Sequence, residues 1–307
     1  MGASDQNPRL AVLCTLSAMA LFGLIDNFMR LAAETGGLWQ FHFLRSLIAL
    51  GILGVFAASM KIGLRPKRPV LVLGRTFFAT VAMLIYFGCL GIMPIAQAVA
   101  GLFTAPIFVV IFSVLFFGDT VGLRRSAAVI IGFVGIVLVL RPDMQSLSLW
   151  TFAPMIAGAF HAMGIITTRR WCDGEGTLSL LAMFFGFMLV IGGVGMILIG
   201  HFVTDVPAGA DGFVFRGWVP FEGTFMILTL IQGVGSLIGV GLIIKSYQLG
   251  EASYVAVFEN SMIVFATLWA IALWGEVPDG VGAIGLLLIV ASGIIISLRT
   301  GQAEAVA

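Results

Sequence analysis

Apolar residues in this chain come in long runs, broken by short polar or glycine–proline punctuation. A helix needs ~20 mostly apolar residues to cross the hydrocarbon core of a bilayer. Ten segments meet that requirement: 10–31, 38–60, 70–92, 95–117, 123–140, 149–168, 177–200, 224–245, 252–274 and 280–298. Arg65-Pro66-Lys67-Arg68-Pro69, Met93-Pro94, Gly118-Asp119, Arg141-Pro142-Asp143 and Gly275-Glu276-Val277-Pro278-Asp279 mark breaks between them. The runs are continuous, not short and alternating, so they predict helices and not the strands of a barrel. Arg124 and Arg125 shorten the apolar part of the fifth segment.

Composition sharpens this picture. Of 307 residues, 60% are hydrophobic and 10% charged, with a mean hydropathy of +1.12. A domain that folds in water carries about a quarter charged residues, so a soluble fold is excluded. The 39 glycines suit close helix contact in lipid. A net charge of +1 gives no footprint for nucleic acid. Cys14, Cys89 and Cys172 share no metal-ligand spacing and read as small buried hydrophobes. The first run, Leu10 to Ile25, follows only one basic residue, Arg9, and no small-x-small cleavage site comes after it. It reads as an uncleaved span.

Lys and Arg set the orientation. With the N-terminus inside, Arg9, Lys61, Arg65, Lys67, Arg68, Arg75, Arg124, Arg125, Arg169, Arg170, Lys245 and Arg299 fall inside. Arg30, Arg141 and Arg216 fall outside, and Arg45 lies within the second span. That imbalance predicts two cytoplasmic termini and an external loop over 201–223.

The halves resemble each other. Phe116-Phe117-Gly118-Asp119 matches Leu273-Trp274-Gly275-Glu276, and the run Gly135 to Arg141 matches Gly293 to Arg299 one residue out of step. Leu90-Gly91 lines up loosely with Leu249-Gly250. A duplicated unit with an odd number of spans enters the membrane upside down the second time. Such inverted repeats place a substrate site near the midplane and permit two mirror-related states. The expected fold is therefore all-α and integral to the membrane, ten helices as two inverted five-helix repeats, residues 1–145 and 146–307.

Several short motifs carry a family likeness: Phe41-His42-Phe43-Leu44-Arg45, the segment from Pro106 to Gly118-Asp119, Gly135–Pro142, and Ala256-Val257-Phe258-Glu259-Asn260 leading to Trp274-Gly275-Glu276-Val277-Pro278-Asp279. In these the chain resembles the ten-helix EamA-type branch of the drug/metabolite transporter superfamily, over residues 10–299. The resemblance implies transport of a small metabolite, such as an amino acid, S-adenosylmethionine or riboflavin. Asn260 stands where an aromatic residue is frequent in that branch, and Asp26-Asn27 where a small or uncharged pair is common, so the substrate does not carry over.

A charge at the centre of a membrane helix costs about 2.5–3.5 kcal/mol on insertion scales, so each embedded polar residue needs a partner or a wet cavity. Asp26 and Arg30 are spaced i, i+4, as a self-neutralising pair or half of an external gate. His42 and Arg45 share a face of the second span. Arg45 pairs with Asp26 or meets an anionic substrate group, and His42 is a hydrogen-bonded histidine or a titrating one. Glu259, with Asn260, is the one acid well inside an apolar span of the second half. It exchanges a proton, binds a cation, or is satisfied by Arg75 or Lys245. His161, about midway through its span, lines a cavity or bridges helices. Gln97, Thr104, Gln232, Ser236 and Tyr247 are cavity candidates or helix glue, and Pro106 and Pro154 bend or open their helices.

The function this predicts is a secondary transporter in the bacterial inner membrane, proton-coupled or exchanging. A lipid flippase or a flippase subunit is the alternative. No Walker A loop is present, which excludes primary pumping by this chain. His42, His161 and His201 form no HExxH motif, so an enzyme is the least favoured reading. Neither a metal nor a cofactor is called for. The expected partners are a small-molecule substrate and the lipid bilayer, with a homodimer left open.

Overall fold

The computed structural model describes residues 7–118, 123–140, 149–172, 174–249, 258–259 and 261–304. Among these residues the chain is helical and contains no strand. The helices are α1 (Pro8–Asn27), α2 (Met29–Thr35), α3 (Leu38–Met60), α4 (Pro69–Ile92), α5 (Ile95–Leu102), α6 (Ala105–Phe117), α7 (Leu123–Leu140), α8 (Leu149–Trp171), α9 (Thr177–Phe202), α10 (Gly223–Leu249), α11 (Ser261–Trp274) and α12 (Gly280–Glu304). A short 3-10 turn covers Gly209–Gly212.

Among the described residues six stretches are long and apolar enough to cross a membrane: Arg9–Thr35, Leu38–Met60, Pro69–Ile92, Ile95–Phe116, Thr177–Phe202 and Gly223–Ile243. Four shorter apolar helices accompany them, Ile130–Val139, Phe152–Thr168, Ser261–Trp274 and Gly280–Ser292. Large apolar side chains such as Val55, Val70, Leu115 and Leu287 face outward, each about two-thirds exposed or more. Water would penalise such a surface, whereas hydrocarbon favours it. The protein is an all-helical integral membrane protein.

Two of the expected spans are interrupted. The first breaks at Phe28, between α1 and α2. Asn27 Nδ2 donates to the Gly23 carbonyl at 2.6 Å and to the Ala266 carbonyl at 3.1 Å. The side chain thus takes a backbone acceptor one turn back, which competes with the helix ladder. The fourth breaks at Phe103-Thr104, between α5 and α6. There the Thr104 hydroxyl donates to the Gly101 carbonyl at 2.7 Å, and Pro106 has no amide to continue the ladder.

The helices sort into two compact units, and each draws on both halves of the sequence. Unit 1 takes the described residues of 1–27, 95–159 and 238–307; unit 2 takes 28–94 and 160–237. Helices α8 and α10 each contribute one part to either unit.

In unit 1, α7 lies against α12 at backbone distance. A Cβ on Gly135 would stand 2.8 Å from the Gly285 carbonyl oxygen, and one on Gly285 would stand 2.7 Å from that of Gly135. Gly132, nearly a turn earlier, meets Ser292, two turns later, so the pair runs antiparallel. Helix α1 packs on α11 through Gly23 against the Ala266 backbone, and Trp269 Nε1 donates to the Ala20 carbonyl at 3.1 Å.

In unit 2, α3 lies against α9, again antiparallel. Gly192 meets the backbone of Phe43, and Gly195 meets the Trp39 ring one turn earlier on α3. Gly164 of α8 faces Ala79 of α4, and the first half of α10 sets Gly233 against Ile48 of α3.

Both ends of unit 2 are fastened. At the end where α3 begins, the 203–222 segment is tied to α2 and α3. Phe213 is fully buried there. Trp39 Nε1 donates to the Val214 carbonyl at 2.9 Å, and Gln40 exchanges two hydrogen bonds with the Val219 backbone. Arg216 Nη1 donates to the carbonyls of Ala33 and Gly36 at 2.7 and 2.8 Å, and Nη2 donates to Gly209. A cation on the last carbonyls of α2 also complements the helix dipole. Burial lowers the Arg216 pKa from its ordinary value. At the opposite end, Glu175 accepts the Lys67 and Arg68 amides at 2.9 and 2.7 Å, and Lys67 Nζ donates to the Gly174 carbonyl at 2.8 Å.

Candidate functional site

Unit 2 gathers the polar groups that are hardest to explain as packing. On α3, the spacing of His42, Arg45 and Ser46 puts all three on one side of the helix. His42 and Ser46 are fully buried, and Arg45 nearly so. The Arg45 guanidinium sits 4.5 Å from the Phe87 ring centre and 5.5 Å from that of Phe41. Aromatic faces of this kind stabilise a cation away from water. The His42 ring meets Phe41 and Phe87 edge-on, each with centroids 5.2 Å apart.

The decisive detail is hydrogen bonding. Both ring nitrogens of His42, the Ser46 hydroxyl, and the Thr76 and Thr80 hydroxyls of α4 are buried with no hydrogen-bond partner among the described residues. Other hydroxyls in the protein behave differently. Thr15, Thr167, Thr168, Thr229 and Thr267 each donate to a carbonyl one turn back on their own helix. That local bond is the ordinary solution for a hydroxyl in a membrane helix. Thr76 and Thr80, one turn apart on α4, do not use it. A buried polar atom without a partner costs about 1–3 kcal/mol.

A second cluster lies on α4 and α8. Arg75 Nε donates to the Thr168 hydroxyl at 2.7 Å, and that hydroxyl donates on to the Gly164 carbonyl at 2.6 Å. His161 lies about two turns before Thr168 on α8.

The candidates from the sequence divide between the units. Arg45, His42, His161 and Gln232 fall in unit 2, with Arg30 at its edge on α2. Gln232 is buried, and its carbonyl accepts the Ser236 hydroxyl. Asp26, Gln97, Thr104 and Glu259 fall in unit 1. Asp26 is buried at the end of α1 and Arg30 exposed on α2, so the helical spacing expected between them is interrupted at Phe28. Thr104 spends its hydroxyl on Gly101, a packing role. Gln97 and Glu259 are half-buried. Asn260 and the Tyr247 side chain lie outside the described residues. No group of three or more His, Cys, Asp or Glu is placed to hold a metal among the described residues. Ser46, Thr76, Thr80 and the Arg75–Thr168 contact were missed by the sequence reading, which weighed Arg75 only as a neutraliser of Glu259.

A model of the EamA-like transporter family matches residues 9–141. Residues 9–141 thus resemble the EamA domain, and most of the chain is similar to transporters of the drug/metabolite transporter superfamily. It is 25% identical over 287 residues to the pseudopaline exporter of Pseudomonas aeruginosa, covering 93% of this chain and 95% of the exporter. It is 25% identical to a riboflavin transporter of Rhizobium johnstonii, covering 91% and 87%. It is 24% identical to an S-adenosylmethionine uptake transporter of Rickettsia bellii, covering 70% and 69%. A crystal structure at 18% identity shares the fold, with a TM-score of 0.63 over 96% of this chain and 98% of the other. The chain is thus similar to small-molecule transporters along most of its length.

Proposed function

We propose that the protein is a secondary transporter that moves a small organic metabolite across the bacterial inner membrane by alternating access, with both termini cytoplasmic. The observation that carries this reading is the strip of unpartnered buried polar atoms on α3 and α4. Polar groups inside a membrane protein are retained at a cost where a pathway or a substrate uses them. His42 and Ser46 on one helix, and Thr76 and Thr80 on the other, offer donors and acceptors to a solute that supplies what the protein does not.

The architecture supports the same reading. In this interpretation the six long helical stretches and the four shorter apolar helices are ten spans in two inverted repeats. The fifth span of each repeat is then α7 and α12, and the second is α3 and α9. Each of these pairs packs antiparallel within its own unit, the relation an inverted duplication requires. Glu259 in unit 1 is the candidate for proton exchange.

The test is uptake by proteoliposomes containing the purified protein, with S-adenosylmethionine, riboflavin and amino acids as first solutes. Saturable, protein-dependent flux that falls in Ser46→Ala and Thr80→Val is expected. Solute-independent hydrolytic activity, or flux of a headgroup-labelled lipid in place of these solutes, would overturn the proposal.

A further inference from the structure

Resting on the transport reading, we propose that unit 2 carries a carboxylate subsite, with Arg75 as the residue that binds the acid group of the substrate. The charges of the unit point there first. Helices α3, α4 and α9, with residues 160–171 of α8 and 223–237 of α10, contain Arg45, Arg75, Arg169, Arg170, His42, His161 and His201 and no Asp or Glu; the described acids of the unit lie on the short α2 (Glu34) and in the connecting segments (Glu175, Asp205, Asp211 and Glu222). Arg169, Arg170 and His201 stand in the last turns of their helices, where a polar headgroup region can solvate them. Arg45 and Arg75 stand further in, each on the second turn of its helix.

The two arginines are held differently. Arg45 is packed against Phe41 and Phe87 and has further interactions of its own. Arg75 is fastened through one nitrogen. Its Nε is fixed by the Thr168 hydroxyl, and among the described residues this is its one hydrogen bond. The clamp leaves the two Nη groups as a planar fork whose orientation is set. A carboxylate accepts from two parallel N–H groups of such a fork, a stronger and more directional contact than a point charge makes. The same helix carries further unsatisfied polar groups. Thr76 is the next residue, Thr80 lies one turn beyond it, and both hydroxyls are buried without a hydrogen-bond partner among the described residues.

The test uses the full chain in detergent. Thermal stabilisation and calorimetric binding are measured with glutamate, citrate and S-adenosylmethionine as carboxylate probes at millimolar concentration. Riboflavin and choline serve as probes without a carboxylate. At least one carboxylate probe stabilises the wild type, and its methyl ester or amide does not. In Arg75→Gln the affinity falls about tenfold to a hundredfold, the loss of a charge-assisted pair. Arg75→Lys and Thr168→Val fall in between, because one keeps the charge without the fork and the other keeps the fork without its clamp. These two variants stand in if Arg75→Gln does not fold. The subsite is overturned if no carboxylate probe binds, if only riboflavin or choline binds, or if the substitutions leave carboxylate affinity unchanged. Riboflavin flux without carboxylate binding removes this subsite and leaves the transport reading standing. A carboxylate that binds through Arg75 yet never enters proteoliposomes does the reverse.

Discussion

Gln40 and Val219 form a reciprocal pair. Gln40 Nε2 donates to the Val219 carbonyl at 3.0 Å, and Gln40 Oε1 accepts the Val219 amide at 3.1 Å. Gln40 is fully buried, so neither bond can be replaced by water in place. Gln40→Leu keeps the volume but leaves a backbone amide and a carbonyl unpaired, at about 1–3 kcal/mol. The expected result is a lower unfolding temperature together with faster amide exchange over residues 203–222. Unchanged exchange there would show that this side chain does not hold the segment.

Glu175 plays the matching part at the other end of unit 2, where it accepts the Lys67 and Arg68 amides. Those bonds are exposed, so water can take over when they are lost. Glu175→Ala therefore costs below about 1 kcal/mol. Its effect is local, a faster exchange of residues 61–68 with little change in unfolding temperature. A loss as large as that of Gln40→Leu would contradict the exposure argument.

The close approach of α7 and α12 gives a packing prediction with an internal control. Any side chain on Gly135 must displace the Gly285 backbone, so Gly135→Val forces the helices apart and costs about 1–3 kcal/mol. A Cβ on Gly54 of α3 meets nothing within 4 Å. Gly54→Ala is expected to leave the unfolding temperature unchanged. Equal effects of the two substitutions would mean that the α7–α12 contact is looser than 2.8 Å implies.

What the sequence made legible follows from what hydrophobicity reports. Long apolar runs locate the helices, and punctuation such as Arg65–Pro69 falls between α3 and α4. Pro106 signalled a disturbance of the fourth span, but the break at Phe28 and the exact place of the break at Thr104 were not visible, because each depends on a side chain choosing a nearby backbone carbonyl. Asn27 reaches Gly23, and Thr104 reaches Gly101. Arg45 and His42 stood out as charged or titratable groups in an apolar span. Thr76 and Thr80 did not, because a threonine in a membrane helix almost always satisfies itself one turn back, and only coordinates reveal two that do not. Arg75 was overlooked for a related reason. It was counted among the cytoplasmic charges and weighed as a neutraliser of Glu259, whereas its Nε is committed to Thr168 on α8.

Topology offers a direct check of orientation. The 203–222 segment lies at the end of unit 2 where α3 begins, and the 61–68 segment lies where α3 finishes. A 23-residue helix separates them, a rise of ~35 Å at 1.5 Å per residue. In the proposed topology the two face opposite sides of the membrane, with the basic residues of 61–68 on the cytoplasmic side. In cells lacking the native cysteines, Gly209→Cys is expected to react with an impermeant maleimide from outside, and Gly63→Cys only after lysis. The opposite labelling would invert the proposed orientation, and labelling of both from one side would break the span count.

Glu259 is the proposed site of proton coupling. It is half-buried next to α11 and has interactions of its own, so its carboxylate is not idle. If Glu259 exchanges a proton during transport, then Glu259→Gln, which keeps the size and most of the hydrogen-bonding capacity but cannot ionise, separates binding from coupling. Substrate binding by the purified variant should stay within a few-fold of wild type. Uptake driven by an imposed pH gradient should be lost, while exchange of labelled for unlabelled substrate across the same membrane persists, because exchange needs no net proton movement. Asp26, a buried acid of unit 1, is the control. If Asp26→Asn removes gradient-driven uptake and Glu259→Gln does not, the proton passes through α1 and Glu259 serves packing. If both variants respond to the gradient as wild type does, the protein is a facilitator or exchanger, and the membrane acids of unit 1 are there to satisfy neighbouring groups.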